Sequence, residues 1–252
     1  MKKIIFVRHG ESTENVSVEK GIKYDKNNIV LTDKGNKQAE ITGQYLYEVF
    51  GKFDKVYASP ATRCVQTANI IIEQTNYKKK LKIDNLLVEI GYYSNNFNGI
   101  SKDSKEKILD NLNVKLPKDK LYKDIKNFRQ LEIKLKEIKD PFDKQKIYKN
   151  WSNFELDPQL NIKPTTIQVA NNYKHFLKNI KESNDKTILV ISHGGCIGIL
   201  QKLICNIDIN NFDTFNGDTK NCCICCISLE KNKYSVVSFA NTKHLEKLNN
   251  SL

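Results

Sequence analysis

Short unbroken apolar runs alternate along this chain with longer stretches whose apolar positions recur at helical spacing. Ile4-Ile5-Phe6-Val7 is the first run, Phe53-Asp54-Lys55-Val56-Tyr57-Ala58 reads as the second, and Lys186–Ser192, with Ile188-Leu189-Val190-Ile191 at its centre, is another. Runs of this length suit buried strands. Leu81-Lys82-Ile83 with Leu86-Leu87-Val88 predicts a further short strand that ends at Glu89. Between the runs lie amphipathic helices. One follows Leu31-Thr32-Asp33-Lys34-Gly35 and carries Ala39, Thr42, Tyr45, Leu46 and Phe50 on one face. The next has Pro60 in its first turn, a favoured position for proline, and runs through Arg63, Gln66, Thr67, Ile70 and Ile71. Pro164 opens another, with Val169, Tyr173, Phe176 and Ile180, and Gly194-Gly195 opens the last, with Ile197, Leu200 and Leu203. Glu11 to Asn28 is polar and reads as a loop. Cys222–Leu229 and Lys233–Phe239 predict a hairpin through Glu230-Lys231-Asn232. Helices alternating with strands predict an α/β fold with a mainly parallel central sheet.

Residues 93–162 break this rhythm. They are rich in lysine, aspartate and asparagine, with amphipathic pieces such as Leu131, Ile133, Leu135 and Ile138. They read as a lysine-rich helical insertion within one domain spanning 1–252. Lys and Arg number 41 against 29 Asp and Glu, a formal net charge of +12. No compact run of arginines is interleaved with aromatics, so solvated lysines are expected and no nucleic-acid partner. The excess charge favours anionic substrates. No apolar run reaches the eighteen residues of a membrane span, and the stretch after Met1 is too short for a signal peptide. The expectation is a cytoplasmic protein with no membrane partner, its oligomeric state open. Seven cysteines are present, four of them in Cys222-Cys223-Ile224-Cys225-Cys226. The two interleaved C-x-x-C spacings lack a matching second pair, and strand alternation turns neighbouring thiols to opposite faces. Reduced thiols packed as small hydrophobes are expected, and no metal.

Two of the four histidines, His9 and His193, directly follow buried strands, and each is followed by glycine. In open α/β sheets ligands sit outside the carboxyl ends of the strands. Imidazole is a nucleophile near neutral pH, and guanidinium groups such as Arg8 match phosphate oxygens with a permanent charge. A histidine flanked by arginine and a second histidine therefore suggests phosphoryl transfer through a phosphohistidine. The helix that begins at Gly194 would add N-terminal amides aimed at the same phosphate. Arg63, one turn past Pro60, can point at the same rim, and Glu89 is a carboxylic acid whose pKa burial would raise. His175 and His244 read as structural.

These residues stand in ordered blocks: VRHGESTEN from Val7, LTDKGNKQA from Leu31, ASPATRCVQTA from Ala58, Leu87-Val88-Glu89-Ile90, VISHGG from Val190, and Asn221 with the late Asn241-Thr242-Lys243-His244-Leu245. In these blocks the sequence resembles the histidine phosphatase superfamily, the phosphoglycerate-mutase-like proteins. The resemblance implies a three-layer α/β sandwich. It implies His9 as the phosphorylated nucleophile, Arg8, Arg63 and His193 as the pocket for the transferring group, Asn15 as a further phosphate contact, and Glu89 as proton donor to the leaving oxygen. No cofactor or metal is implied. The mutases of this superfamily carry a Glu-Arg-His-Tyr-Gly element and a downstream arginine pair. Here Glu89-Ile90-Gly91-Tyr92-Tyr93 stands instead, and the only arginines are Arg8, Arg63 and Arg129. A metal-independent phosphatase acting on a phosphorylated small molecule or a phosphoprotein is therefore expected. A cofactor-dependent phosphoglycerate mutase and a phospho-ligand-binding protein with little turnover are the alternatives.

Overall fold

The computed structural model describes residues 1–25, 28–89, 166–209 and 219–249. The 93–162 insertion, with Arg129 and the residues after Glu89, lies outside them. Six strands form one sheet: β1 (Lys2–Arg8), β2 (Lys55–Ala58), β3 (Lys82–Ile83), β4 (Thr187–Ser192), β5 (Ile224–Glu230) and β6 (Lys233–Asn241), in the order β3-β2-β4-β1-β5-β6. β3, β2, β4 and β1 are parallel, and the β5–β6 hairpin is added antiparallel on β1. Lys231 and Asn232 both have positive φ, 46° and 66°, which is the geometry of a two-residue hairpin turn.

Period two in the central strands builds a core on each face. Ile5 and Val7 of β1, with Leu189 and Ile191 of β4, face α2 (Asp33–Phe50) and α3 (Thr62–Gln74) through Leu46, Cys64, Ala68 and Ile71. Ile4 and Phe6, with Ile188 and Val190, face α4 (Thr166–Glu182) and α5 (Gly194–Ile204) through Tyr173, Phe176, Ile197 and Leu200. The result is the expected α/β sandwich of three layers. The same alternation divides the cysteines of β5: Cys226 joins the first core and Cys225 the second, while Cys222, in the turn before the strand, joins a smaller cluster with Ala39 and Leu245. Lys2 ties the start of β1 to the end of α4, its Nζ donating to the carbonyls of Ile180 and Ser183.

Three expectations are corrected. The polar segment after Glu11 contains a helix, α1 (Thr13–Lys20), held by a capping box between Ser12 and Asn15 and ended by Gly21 in the left-handed region. Pro60 precedes α3 and its cap, Ala61, and so lies outside the first turn. The third strand is only Lys82–Ile83; Leu86 and Leu87 belong to a 3-10 turn, Asn85–Leu87, capped by the Asp84 carboxylate.

The N-terminus of α2 presses against the segment that leaves β1. A β-carbon on Gly35 would lie 2.0 Å from the Glu11 carbonyl oxygen, and one on Gly10 would lie 2.4 Å from that of Gly35. Both obstacles are backbone, so neither can swing away. Gly35→Ala is expected to destabilise the fold by about 2 kcal/mol or more, the upper part of the range for overpacking, and to lower activity by displacing the loop after His9. Denaturant unfolding of the variant checks this; an unchanged midpoint would mean that α2 can recede without cost.

Candidate active site

The parallel strands bring their carboxyl ends to one rim. Arg8 is in register with Ser192, and Ala58 with Ile191, so the residues just past the strand ends converge. Ladder bonds extend one step beyond each strand: the His9 amide donates to Ser192 O at 2.9 Å, and the Ser59 amide to Ile191 O at 2.9 Å. His9, Ser59 and His193 thus stand side by side at the ends of β1, β2 and β4. All three are buried, His9 at 2 % exposure and His193 at 0 %. The two imidazoles meet edge to face with centroids 5.5 Å apart.

Each ring is fixed in one orientation. His9 Nδ1–H donates to the carbonyl of Gly10 at 2.8 Å, which places the lone pair on Nε2. That lone pair accepts from Arg63 Nε at 2.9 Å. Arg63 stands in the first turn of α3, 2 % exposed, and its Nη2 reaches 3.3 Å from His193 Nδ1 and 3.7 Å from the Glu14 carboxylate. His193 is the N-cap of α5. Its Nε2 is hydrogen-bonded to the Ser59 hydroxyl at 2.7 Å, and its Nδ1 lies 3.3 Å from Glu89 Oε2. Arg8 donates from Nη1 to the carbonyl of Thr219, while its Nε is buried without a partner among the described residues. A β-carbon on Gly194 would press on Thr219 Oγ1 at 2.7 Å and sit 3.4 Å from Arg8 Nε, so this helix start and the guanidinium share one small space. His193 provides no side-chain cap for α5. The first amides of that helix and the orphaned Arg8 donor together have the donor set of an oxyanion site.

Six of the predicted site residues, Arg8, His9, Arg63, Glu89, His193 and Gly194, come together directly. Asn15 is joined less directly. Its Oδ1 accepts from Ser12 in the cap of α1 and from Asn221 Nδ2 at 3.0 Å, and Asn221 Nδ2 also reaches the His9 carbonyl at 3.1 Å. Ser59 and Glu14 were not singled out by sequence. Ser59 had a signal, because it follows β2 as His9 follows β1. Glu14 had none, since its reach to Arg63 depends on a helix that the polar pattern hides. Of the remaining histidines, His244 is structural as expected, stacked on Tyr45 at 5.0 Å with its Nε2 bonded to Thr42 Oγ1 at 2.9 Å. His175 is exposed on α4, so its expected structural role is not seen.

Burial, then the nearby charges of Arg63 and Arg8, hold His9 and His193 well below the usual histidine range, so both are neutral in the folded protein. This sets an acid sensitivity. The unfolded histidines bind protons below about pH 6.5, and the folded ones do not. Stability present above that pH is therefore lost as pH falls through it. The ligand-free protein is expected to show a steep drop in its unfolding midpoint below pH 6.5. Bound vanadate, whose charge offsets the guanidiniums, should flatten that drop. Chemical denaturation at several pH values reads both; a midpoint flat to pH 5 would show that these imidazoles are charged in the folded state.

The family model described as the histidine phosphatase superfamily (branch 1) matches residues 4–140 and 102–242. Among curated proteins, the serine/threonine-protein phosphatase Pgam5, mitochondrial, of Drosophila virilis is 45 % identical over 80 residues, 31 % of this chain and 25 % of that protein. The chain thus matches about a quarter of the length of these curated relatives. Among solved structures, phosphoglycerate mutase from Bacillus anthracis str. Sterne superposes with a TM-score of 0.65 at 18 % identity, covering 98 % of this chain and 96 % of that one. A phosphoserine phosphatase from Entamoeba histolytica, in complex with phosphoserine, gives 0.57 at 22 % identity, covering 97 % and 100 %. At these identities the structural likeness speaks for the fold alone.

Proposed function

This chain belongs to the histidine phosphatase superfamily, branch 1, and we propose that within it the protein is a metal-independent phosphatase that hydrolyses phosphomonoesters through a phosphohistidine at His9. The geometry of His9 carries the reading. Its Nδ1 proton is held by a carbonyl, and its Nε2 lone pair, which accepts from Arg63 Nε, is aimed between that guanidinium and a second imidazole.

In the first half-reaction the phosphoryl group of the substrate displaces the Arg63 contact at Nε2. The lone pair forms the N–P bond while the bond to the leaving oxygen breaks. Glu89 passes its proton to that oxygen, and the alcohol departs. In the second half, water attacks phosphorus, Glu89 takes back a proton, and the N–P bond breaks to release phosphate. Arg8, Arg63, the amides at Gly194 and a carboxamide from Asn15 supply the charge neutralisation that phosphoryl transfer needs most. His193, fixed by Ser59, closes the pocket opposite His9. Permanent guanidinium charges stand where other phosphatases hold metal ions. The substrate is a phosphorylated small molecule or a phosphoprotein, and buried reduced thiols suit a cytoplasmic setting.

Hydrolysis is favoured over mutase chemistry because a mutase must retain its bisphosphate for retransfer. Bidentate arginine contacts to a substrate carboxylate help that retention. Arg8 and Arg63 are both committed to the phosphoryl group here. The test is a panel of phosphomonoesters assayed after chelator treatment, with vanadate as inhibitor. 3-Phosphoglycerate with catalytic 2,3-bisphosphoglycerate is included, and 2-phosphoglycerate and free phosphate are followed separately. The expected result is phosphate release that survives chelation and yields to vanadate. Activity restored only by added magnesium or zinc, or 2-phosphoglycerate forming faster than phosphate, would overturn the reading.

A further inference from the structure

Glu89 stands at the end of a short irregular stretch. It follows the 3-10 turn Asn85–Leu87 and belongs to no strand. A general acid must nevertheless sit within hydrogen-bond reach of one oxygen on the bound substrate. Contacts from neighbouring elements surround it. The Ser192 hydroxyl reaches the Leu87 carbonyl at 3.5 Å and is itself bonded to the buried Tyr173 hydroxyl of α4 at 2.5 Å. The next carbonyl, Val88 O, accepts from the Cys196 thiol at 3.2 Å. The same sulfur lies 3.5 Å from Glu89 Oε1, while Glu89 Oε2 faces His193 Nδ1 at 3.3 Å. Two successive carbonyls and both carboxyl oxygens are thus held by Ser192, His193 and Cys196. All three are fully buried and lie close together in sequence, at the end of β4 and in the first turn of α5.

We propose that Cys196 is a positioning residue for the proton donor, its thiol locking the Val88 carbonyl and the Glu89 carboxyl to the same helix start that grips the phosphoryl group. This rests on the reading of Glu89 as general acid given above. The advantage is one of reference frame. His193 and Gly194 contact the phosphoryl site, and Cys196 lies two residues beyond Gly194 on the same rigid turn. The distance from donor to phosphorus is then set within one short element and does not depend on the chain that continues past Glu89. The thiol does no chemistry itself: it is buried, and it touches the donor and not the transferring group. The single S–H proton of Cys196 is shared between these two acceptors, at 3.2 and 3.5 Å, in a three-centre contact.

The test compares Cys196→Val, which removes the donor and adds about one methyl group, with Cys196→Ser, which keeps a donor. Each is assayed on an alkyl phosphate and on nitrophenyl phosphate, alone and with Glu89→Gln. Misplacing a catalytic group by about 1 Å costs on the order of a hundredfold, so Cys196→Val should lose about ten- to a hundredfold in kcat on the alkyl phosphate. KM for that substrate and the vanadate affinity should hold within about twofold, and the nitrophenyl rate should fall far less than the alkyl rate. Cys196→Ser should recover part of the loss, and Cys196→Val should add nothing once Glu89 is Gln. If the valine variant does not fold, Cys196→Ala takes its place in every arm. Equal slowing of both substrates, no slowing of either, or full additivity with Glu89→Gln would overturn the positioning role. A Glu89→Gln enzyme that itself shows no dependence on the leaving group would instead overturn the donor reading, and this inference with it.

Discussion

His9→Ala is expected to lower turnover of every accepted phosphomonoester by roughly four to six orders of magnitude, the scale on which removal of a covalent nucleophile acts. No other group described at the rim can replace it. His193 has its Nε2 bonded to the Ser59 hydroxyl and its Nδ1 set against Glu89, the group that gives the proton. The Cys64 thiol, 3.5 Å from His193 Nε2, is pushed up to about 12 by burial and is not a thiolate at neutral pH. The measurement is rapid quench with substrate labelled in the phosphoryl group. Native enzyme should yield a protein-bound label that is acid-labile and stable to alkali, the signature of a phosphoramidate. The alanine variant should yield none, while still binding vanadate through Arg8 and Arg63. A label that persists in His9→Ala would place the covalent step on another residue.

Much of this site could be read from the chain because strand ends in a parallel sheet are marked locally. Ile4–Val7 and Ile188–Ile191 are unbroken apolar runs, and each gives way to polar residues and glycine. Once the two runs are paired in parallel, His9 and His193 must be neighbours. The features that could not be read depend on contacts that the local pattern does not show. α1 was hidden because only Ser17 of its residues is buried, so it has no apolar stripe to betray it. It is held by Ser12 and Asn15, a capping pair in which asparagine stands where glutamate or glutamine is usual. Glu14 and its ion pair with Arg63 went with it. Leu86-Leu87-Val88 satisfies strand and buried-turn patterns equally, and the Asp84 cap decides between them. Asn221 stands in one of the ordered blocks, but its bonds to His9 and Asn15, more than two hundred residues away, follow from no spacing rule.

Glu89→Gln is expected to separate substrates by the basicity of the oxygen that leaves. Glutamine preserves the volume, and its amide can still face His193 and Cys196, so the pocket should remain assembled. What it cannot do is give up a proton. An alkyl phosphate expels an alkoxide unless a proton arrives as the bond breaks, and general acid help at that step is worth roughly a hundred- to ten-thousandfold. Nitrophenolate is stable enough to leave largely unassisted. Its hydrolysis should therefore slow far less, and any slowing that remains should fall on the second half-reaction, where Glu89 removes a proton from water. This predicts a further asymmetry. With the alkyl substrate the variant is limited before the phosphohistidine forms, and little label accumulates on quenching. With nitrophenyl phosphate it is limited afterwards, so the label at His9 should accumulate above the native level, with a burst of nitrophenol. Equal slowing of both substrates, with no burst, would mean that Glu89 holds His193 in place through its 3.3 Å contact and moves no proton.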